Sequence, residues 1–310
     1  MTQIFLALLP VFIVIIIGVV LRLSGLIGET QWPGIDHICY FVLFPAIIFK
    51  EIATADFSDI PIWRMAAAMV VALCAMFGLL LILRVPISSA LKINGPQFSS
   101  LFQGATRWHT FIAFAIVPVF FGNGALALAA VGAATMTPVL NVICVIVMSL
   151  YARPQGEALS ARWFALVVLR NPFILSSVGG VLFQFFGLSL PAIAIQVLDM
   201  IGRGALGLAL LTVGAGLHFG EAAANRMTIG LATVLKLLVL PFFMYLALRF
   251  FAVGGTPAAV AIICSAVPTG SGAYVLARQM GGDAPLVANI LTSQVICAAV
   301  TIPFVLALIV

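Results

Sequence analysis

Stretches of about twenty apolar residues recur from one end of this 310-residue chain to the other. A helix of that length spans the hydrocarbon core of a bilayer and satisfies its own backbone hydrogen bonds there. Of all residues 64% are hydrophobic and only 7% are charged, and a water-soluble core does not need so apolar a composition. We therefore expect an all-α integral membrane protein that crosses the cell inner membrane many times.

Ten windows of this kind can be distinguished, and each is predicted to form a transmembrane helix. A count of nine or eleven is also compatible with the sequence, because the second and sixth windows are short. The first window lacks the basic start and the cleavage site of a signal peptide, so it is expected to remain as a helix. The windows cover residues 4–21, 35–49, 65–83, 97–121, 125–151, 171–186, 192–217, 228–251, 258–280 and 286–310.

Lysine and arginine residues near the window ends predict the orientation, because such residues concentrate in cytoplasmic connections. Eight follow odd-numbered helices and three follow even-numbered ones: Arg22, Arg84, Lys92, Arg153, Arg162, Arg170, Arg226 and Arg278 against Lys50, Arg64 and Arg249. Ten spans then leave both termini outside. The same bias explains most of the formal charge of +5, and no basic patch with interleaved aromatics is present, so nucleic-acid binding is not expected.

Shifting the chain against itself by 162 residues superposes several landmarks. The superposed pairs are Pro10 with Pro172, Gly18 with Gly180, and Arg64-Met65 with Arg226-Met227. Each copy would contain five spans, and an odd number forces the second copy to enter the membrane from the opposite side. Inverted repeats of this kind are typical of secondary transporters. We expect a first repeat over residues 1–151, a cytoplasmic linker over 152–170 and a second repeat over 171–310.

Two helices of this plan are interrupted near their middle, and the same offset relates the two interruptions. In helix four Gly104 precedes the polar run Arg107-Trp108-His109-Thr110, and the matching part of helix nine is Pro268-Thr269-Gly270-Ser271-Gly272. Proline and glycine disfavour helix, and the freed backbone groups are tolerated at this depth only against protein or a water-filled cavity. Helices four and nine are therefore predicted to be broken crossover helices.

The predicted breaks favour the binding of an anion. The half-helices that begin near Thr110 and Ser271 would each point a positive N-terminal end at the centre. Arg107 adds a full charge and a forked donor that suits a carboxylate. A structural pair with a carboxylate such as Asp199 is the alternative, and the two roles are compatible. The predicted binding residues for a small organic anion are Arg107, His109, Thr110, Pro268, Thr269, Gly270 and Ser271.

Four ionisable residues inside the predicted spans are candidates for coupling or gating: His109, Asp199, Arg203 and Lys236. An unperturbed histidine titrates near neutral pH, so His109 could carry a coupled proton or could be a neutral ring bonded to a carbonyl. Asp199 and Arg203 are one helical turn apart and are expected to form an ion pair. Lys236 either snorkels to the cytoplasmic surface or takes part in coupling.

Other polar residues have simpler interpretations. Lys50 and Glu51 are expected on a solvated outer loop, and Asp36 with His37 is expected to cap the start of helix two. The five cysteines lie inside predicted spans without a C-x-x-C pair, so no metal site or disulfide framework is indicated. The sequence contains no zinc-protease, nucleophile-elbow or Walker A motif, so neither an enzyme nor a cofactor is expected.

The ten-helix plan and several short motifs resemble the auxin efflux carrier family. The motifs are Arg107-x-x-Thr110-Phe111-Ile112, Asn171-Pro172, Lys236-Leu237 with Pro241, Ala266-x-Pro268, and Tyr274-Val275-Leu276-Ala277 with Gln279. Bacterial members of that family are described as malonate or malate permeases, and its plant members are the PIN carriers. The resemblance implies a carrier whose broken fourth and ninth helices cross around a carboxylate site and which works by rocking or elevator-like movement.

The chain departs from the family pattern at two places. Bacterial relatives often have asparagine after the crossover arginine, where this chain has Trp108 and His109. The family's usual proline in helix seven is replaced by Gly207. Both changes alter residues at or near the expected substrate site.

The resulting hypothesis is a secondary transporter of a small organic anion, a dicarboxylate such as malonate or malate, coupled to protons or to the membrane potential. Sodium coupling and a homodimer are left open. One alternative is an exporter of an aromatic monocarboxylate similar to auxin, for which Trp108 would be a stacking surface. The other is a membrane receptor that is built on a carrier fold and binds its ligand without transport.

Overall fold

The computed structural model describes residues 2–54, 62–152, 172–217 and 225–309. Within these ranges the regular structure is helical, and none of the described residues forms a strand. The prediction of an all-α protein is therefore confirmed. The linker expected over residues 152–170 lies outside the described residues apart from Ala152.

The helices of the first half of the chain are α1 to α8. Their bounds are Thr2–Leu23 (α1), Trp32–Ile38 (α2), Phe44–Thr54 (α3), Ile62–Ile82 (α4), Arg84–Leu91 (α5), Gly95–Thr106 (α6), Thr110–Phe121 (α7) and Leu126–Tyr151 (α8). A π-helical turn, Cys39–Leu43, joins α2 to α3 without a break. Pro45 near the start of α3 therefore does not end this helical stretch.

The helices of the second half are α9 to α16. Their bounds are Pro172–Phe185 (α9), Ala192–Gly202 (α10), Ala205–Ala215 (α11), Arg226–Val234 (α12), Leu240–Phe250 (α13), Gly255–Ala266 (α14), Gly272–Met280 (α15) and Ala284–Ile309 (α16). A second π-helical turn, Leu235–Val239, joins α12 to α13.

Seven helical stretches of the described residues are long and apolar enough to cross a membrane, which confirms a multi-pass membrane protein. They are Trp32–Thr54, Ile62–Ile82, Gly95–Phe121, Asn123–Tyr151, Ala192–Ala215, Arg226–Phe250 and Ala284–Leu308. Two shorter apolar helices, Leu8–Leu23 and Gly255–Ala266, accompany them. The count of ten spans and the sides of the termini stay predictions.

The helices contact one another in two groups. In the first group α1 packs along α11, α3 packs against α9 and α10, and α2 with the π-helical turn that follows it contacts α11. In the second group α4 packs against α8 and α13, while α6 packs against α8 and α16. The largest fully buried side chains come equally from both groups, for example Phe44 and Ile15 in the first and Phe98 and Met65 in the second, so the core extends through both. Contacts of α1 with α16 and of α8 with α9 join the two groups.

The close approach of α1 and α11 depends on glycine. A Cβ atom added to Gly214 would collide with the backbone carbonyl of Ile15, and one added to Gly18 would collide with that of Leu211. Lipid tails are as apolar as the helices, so helix association in a membrane relies on such close van der Waals packing at small residues. These two glycines therefore allow the most extensive helix–helix contact of the first group.

We expect Gly214→Ala to lower the thermal unfolding midpoint of the detergent-solubilised protein, because overpacking a tight contact costs about 1–3 kcal/mol. Gly207 provides a matched control in the same helix, since a Cβ atom added there meets nothing within 4 Å. Gly207→Ala should leave the midpoint unchanged or raise it, because alanine favours helix over glycine. Equal shifts in the two variants would contradict this packing.

Candidate functional site

The helical stretch Gly95–Phe121 is interrupted in its middle. Helix α6 ends at Thr106, and Arg107 and His109 have extended backbone before α7 begins at Thr110. A capping box of Asn94 and Gln97 fixes the far end of α6. The polar run that the sequence indicated is therefore a non-helical segment between two half-helices.

A second interruption separates α14 from α15 and lies against the first. Helix α14 ends at Ala266, Val267 is extended, and α15 begins at Gly272. A Cβ atom on Gly270 would lie 2.7 Å from the carbonyl oxygen of Trp108. Thr269 Oγ1 donates to the Gln103 carbonyl at 3.3 Å. The two broken stretches thus cross at their breaks, and a side chain at position 270 would force them apart.

Gln294 of α16 connects the two interruptions from behind. Its Oε1 accepts a hydrogen bond from Thr269 N at 2.7 Å, and its Nε2 donates to the carbonyls of Gly104 at 2.8 Å and Ala232 at 3.2 Å. The Gln294 side chain is fully buried. It therefore satisfies backbone groups that the breaks leave without helical partners.

Arg107 is held by amides and not by a carboxylate. Its Nη2 donates to Asn141 Oδ1 of α8 at 2.7 Å, and its Nη1 lies 3.5 Å from Gln103 Oε1. Asn141 therefore makes the interhelical bond expected of an amide inside a span. Asp199 pairs elsewhere, with Lys50, so the alternative of an Arg107–Asp199 pair is wrong.

A cavity of about 510 Å³ lies at the crossing. Five of the predicted binding residues line it, namely Arg107, His109, Thr110, Gly270 and Ser271. Pro268 and Thr269 do not line it; both are buried, and Thr269 is hydrogen-bonded to Gln103 and Gln294. These two residues build the crossing instead of facing the cavity.

His109 is buried with only 3% of its surface exposed, yet it lines the cavity. Its Nε2 has no hydrogen-bond partner among the described residues. A buried polar atom without a partner costs about 1–3 kcal/mol, so a ligand or water is expected to satisfy it. The alternative of a ring nitrogen bonded to a protein carbonyl finds no support at Nε2.

Another part of the cavity lining was missed by sequence reasoning. Asp36, His37, Tyr40 and Phe41 line it from α2 and the π-helical turn that follows. Asp36 is the fifth residue of α2 and makes no capping bond, so its interpretation as a cap was wrong. Nothing in the spacing of the sequence connects Asp36 with Arg107, because only tertiary packing places them around one cavity.

The structure corrects two further charge assignments. Asp199 Oδ1 lies 2.8 Å from Lys50 Nζ, which also contacts Glu51 at 3.0 Å, while the exposed Arg203 makes no ion pair among the described residues. The expected Asp199–Arg203 pair is therefore wrong. Lys50 and Glu51 belong to α3 and are mostly buried, not part of a solvated loop.

Lys236 does not snorkel to the surface. It is fully buried in the second π-helical turn, and its Nζ donates to the Ser265 carbonyl at 2.6 Å. Ser265 is in the last turn of α14, where a cation is favourably placed at the negative end of a helix. Lys236 thus stabilises the half-helix that ends at the crossing.

We expect Gln294→Leu to lower the thermal unfolding midpoint markedly, because it leaves Thr269 N and the Gly104 carbonyl buried without partners. Each such group costs about 1–3 kcal/mol. Ile296→Ala is the control, since Ile296 is in the same helix and is 58% exposed. A Gln294→Leu protein as stable as the Ile296→Ala protein would contradict the bracing role.

Comparison with known proteins agrees with this architecture. Residues 157–306 match the model of the family described as "Membrane transport protein". A relative from Methanothermobacter thermautotrophicus named "Uncharacterized transporter" is 22% identical over 304 residues, which cover 95% of each chain. A relative from Rhizobium meliloti named "Putative malonate transporter" is 27% identical over 177 residues, which cover 52% of this chain and 54% of the relative. The second half of the chain is therefore similar to membrane transport proteins, and the whole chain is similar to a relative named as a transporter, in agreement with the resemblance of its sequence to the auxin efflux carriers.

Proposed function

We propose that this protein is a secondary transporter that moves a small organic anion, a dicarboxylate such as malonate or malate, across the cell inner membrane. One observation carries the proposal: the guanidinium of Arg107 lines the cavity at the crossing of two broken helices. The membrane setting, the family and the name of the Rhizobium meliloti relative support it.

The cavity suits a carboxylate on electrostatic grounds. Arg107 has five N–H donors, and its described hydrogen bonds use only two groups, Nη1 and Nη2. Thr110 and Ser271, at the starts of α7 and α15, line the same cavity, so two positive half-helix ends face it. His109 Nε2 adds a buried polar atom that has no partner among the described residues. One carboxylate of the ligand would bind at Arg107, and a second would be near the half-helix ends.

We propose two inverted repeats, over residues 1–151 and 171–310 with a linker over 152–170, and ten spans with both termini outside. Helix packing supports the repeats, and the distribution of lysine and arginine supports the orientation. Gly18 of α1 packs on the backbone of Leu211, and Gly180 of α9 packs on that of Phe49. Gly180 follows Gly18 by 162 residues, and Leu211 follows Phe49 by 162 residues. The same offset relates Pro268 to Thr106. One offset therefore connects helix contacts, helix breaks and sequence landmarks, as expected of a repeat.

The position of the cavity supports alternating access. Arg107 and His109 approach it from the crossing, whereas Asp36 and Tyr40 approach it from the first helix group. A movement of the crossing relative to that group, by rocking or as an elevator, would expose the site to either side of the membrane. Coupling to protons or to the membrane potential would drive transport, with His109, Lys236, Asp199 and Arg203 as candidate coupling or gating groups.

A second candidate substrate is an aromatic monocarboxylate. Tyr40, Phe41, Trp108 and Phe111 contribute aromatic rings to the cavity wall. A cavity of about 510 Å³ also has more room than a three-carbon dicarboxylate fills. Such a ligand would place its carboxylate at Arg107 and its ring against Trp108.

We expect Arg107→Ala to abolish uptake of labelled malonate into proteoliposomes under an inward proton gradient. Loss of a charge-assisted hydrogen bond costs about 1.5–3 kcal/mol, or about tenfold to a hundredfold in affinity. Arg107→Lys keeps the positive charge but not the forked guanidinium donor, so its uptake should be between that of the wild type and that of Arg107→Ala. Arg249→Ala is the control, because Arg249 is exposed at the end of α13. Full uptake by Arg107→Ala would assign Arg107 to the scaffold, and no uptake by the wild type under any ion gradient would overturn the proposed function.

Competition distinguishes the two substrate classes. We expect unlabelled malonate to inhibit uptake at lower concentration than indole-3-acetate, because a second carboxylate gains from the half-helix ends. Stronger inhibition by indole-3-acetate that is lost in Trp108→Ala would favour the aromatic acid instead.

A further inference from the structure

Asp36 is the one carboxylate among the described residues that line the cavity at the crossing. It is partly buried and belongs to the first helix group, whereas Arg107 and His109 line the same cavity from the crossing. The described ion pairs of the molecule involve only Lys50, Glu51 and Asp199, so no described cation neutralises Asp36 directly. A cavity proposed to hold an anion thus contains a built-in negative group.

The nearest hydrogen-bonding group to Asp36 is the Thr212 hydroxyl of α11. Thr212 Oγ1 lies 3.4 Å from Asp36 Oδ1 but 2.8 Å from the Ala209 carbonyl. A hydroxyl has one hydrogen, and the shorter contact uses it for Ala209. Thr212 can therefore serve Asp36 better as an acceptor than as a donor, and Asp36 can donate to it only when the carboxyl group carries a proton.

The other ionisable groups around Asp36 are few. His37, Cys39 and Tyr40 are in its own helical stretch, and Arg107 and His109 line the same cavity. Helix α11, which packs on α2, contributes Thr212 and contains no ionisable side chain. Arg107 is the single fixed cation in this set. A carboxylate ligand bound at Arg107 brings a further negative charge into the cavity that Asp36 lines.

An anion at Arg107 and the carboxyl group of Asp36 would share one cavity of about 510 Å³. Charges that are partly buried are screened less by salt than charges in water. An anion at Arg107 and an ionised Asp36 therefore repel each other, and the repulsion disappears when the carboxylate takes a proton from the water of the cavity.

We propose that Asp36 is a proton-binding site that is loaded together with the anion, one proton per anion bound. This inference rests on the proposed function, because it requires a carboxylate at Arg107. The protonated Asp36 donates to Thr212 Oγ1, and the loaded cavity carries one negative charge fewer than the ligand alone would bring. Since proton and anion binding are linked, each increases the affinity for the other, and anion affinity falls as pH rises, by at most tenfold per pH unit.

The test measures proton uptake on malonate binding to the full-length protein in nanodiscs, with a pH indicator in weakly buffered solution and calorimetry at acidic, neutral and mildly alkaline pH. Asp36→Asn keeps the shape, removes the titration and still donates to Thr212. Glu29→Gln is the matched control, because Glu29 is an exposed carboxylate outside the cavity. The ionisation of malonate itself is common to all variants and cancels in the comparison.

We expect the wild type and Glu29→Gln to take up one more proton per malonate than Asp36→Asn does. Above the pH at which Asp36 ionises, the affinity of Asp36→Asn should exceed that of the wild type, and the difference should grow toward tenfold per pH unit. Equal proton uptake by the wild type and Asp36→Asn would overturn the inference while leaving the transport proposal intact. Loss of the extra proton in His37→Gln or His109→Gln, with Asp36→Asn unchanged, would also overturn it and assign the proton to a histidine. A folded wild type that binds no carboxylate at any pH would overturn the proposed function as well.

Discussion

The satisfaction of backbone groups freed inside the membrane is the constraint on which the structure depends. A helix break in hydrocarbon leaves N–H and C=O groups without partners, so it is stable only where other protein groups or water take over. Here one break supplies partners for the other: Thr269 bonds to the carbonyl of Gln103, and Gln294 bonds to Thr269 and Gly104 together. Lys236 stabilises the end of α14 in the same region. The crossing is thus a hydrogen-bonded unit to which both breaks contribute.

The same unit accounts for the chemistry of the cavity. Because the C-terminal ends of α6 and α14 are used for these internal bonds, the N-terminal ends of α7 and α15 are left to face the cavity. Arg107, held by Asn141, adds the only fixed positive charge among the described residues that line it. The positive charge of Arg107 and the positive ends of α7 and α15 are therefore close to one another at the cavity. The first helix group contributes aromatic rings and Asp36 to the same cavity. A ligand must therefore satisfy both a basic wall and an acidic one.

The sequence predicted local events well and partners poorly. The Pro268 region and the polar run after Gly104 indicated both breaks, because proline and glycine act on the helix that contains them. The 162-residue offset also relates the two breaks to each other, since it can be found from residue identities alone. In contrast, the expected partner of Asp199 was a neighbour in its own helix, whereas the structure pairs it with Lys50. Sequence spacing shows which residues are close together along one helix. An ion pair, however, forms with any opposite charge that the packing of helices places within a few ångströms.

The sequence by itself determined that the chain is a helical membrane protein, that two of its helices are interrupted, and that Arg107 is at one interruption. These features depend on the length of apolar stretches and on the positions of proline, glycine and charged residues. Each acts on the helix that contains it, so each can be recognised in the sequence. Only the tertiary structure decided that Pro268 and Thr269 are buried at the crossing, that Lys236 is enclosed, and that Asp36 and Arg107 line one cavity. These outcomes depend on how helices far apart in the chain pack together, and close approaches such as that of Gly214 to Ile15 set that packing.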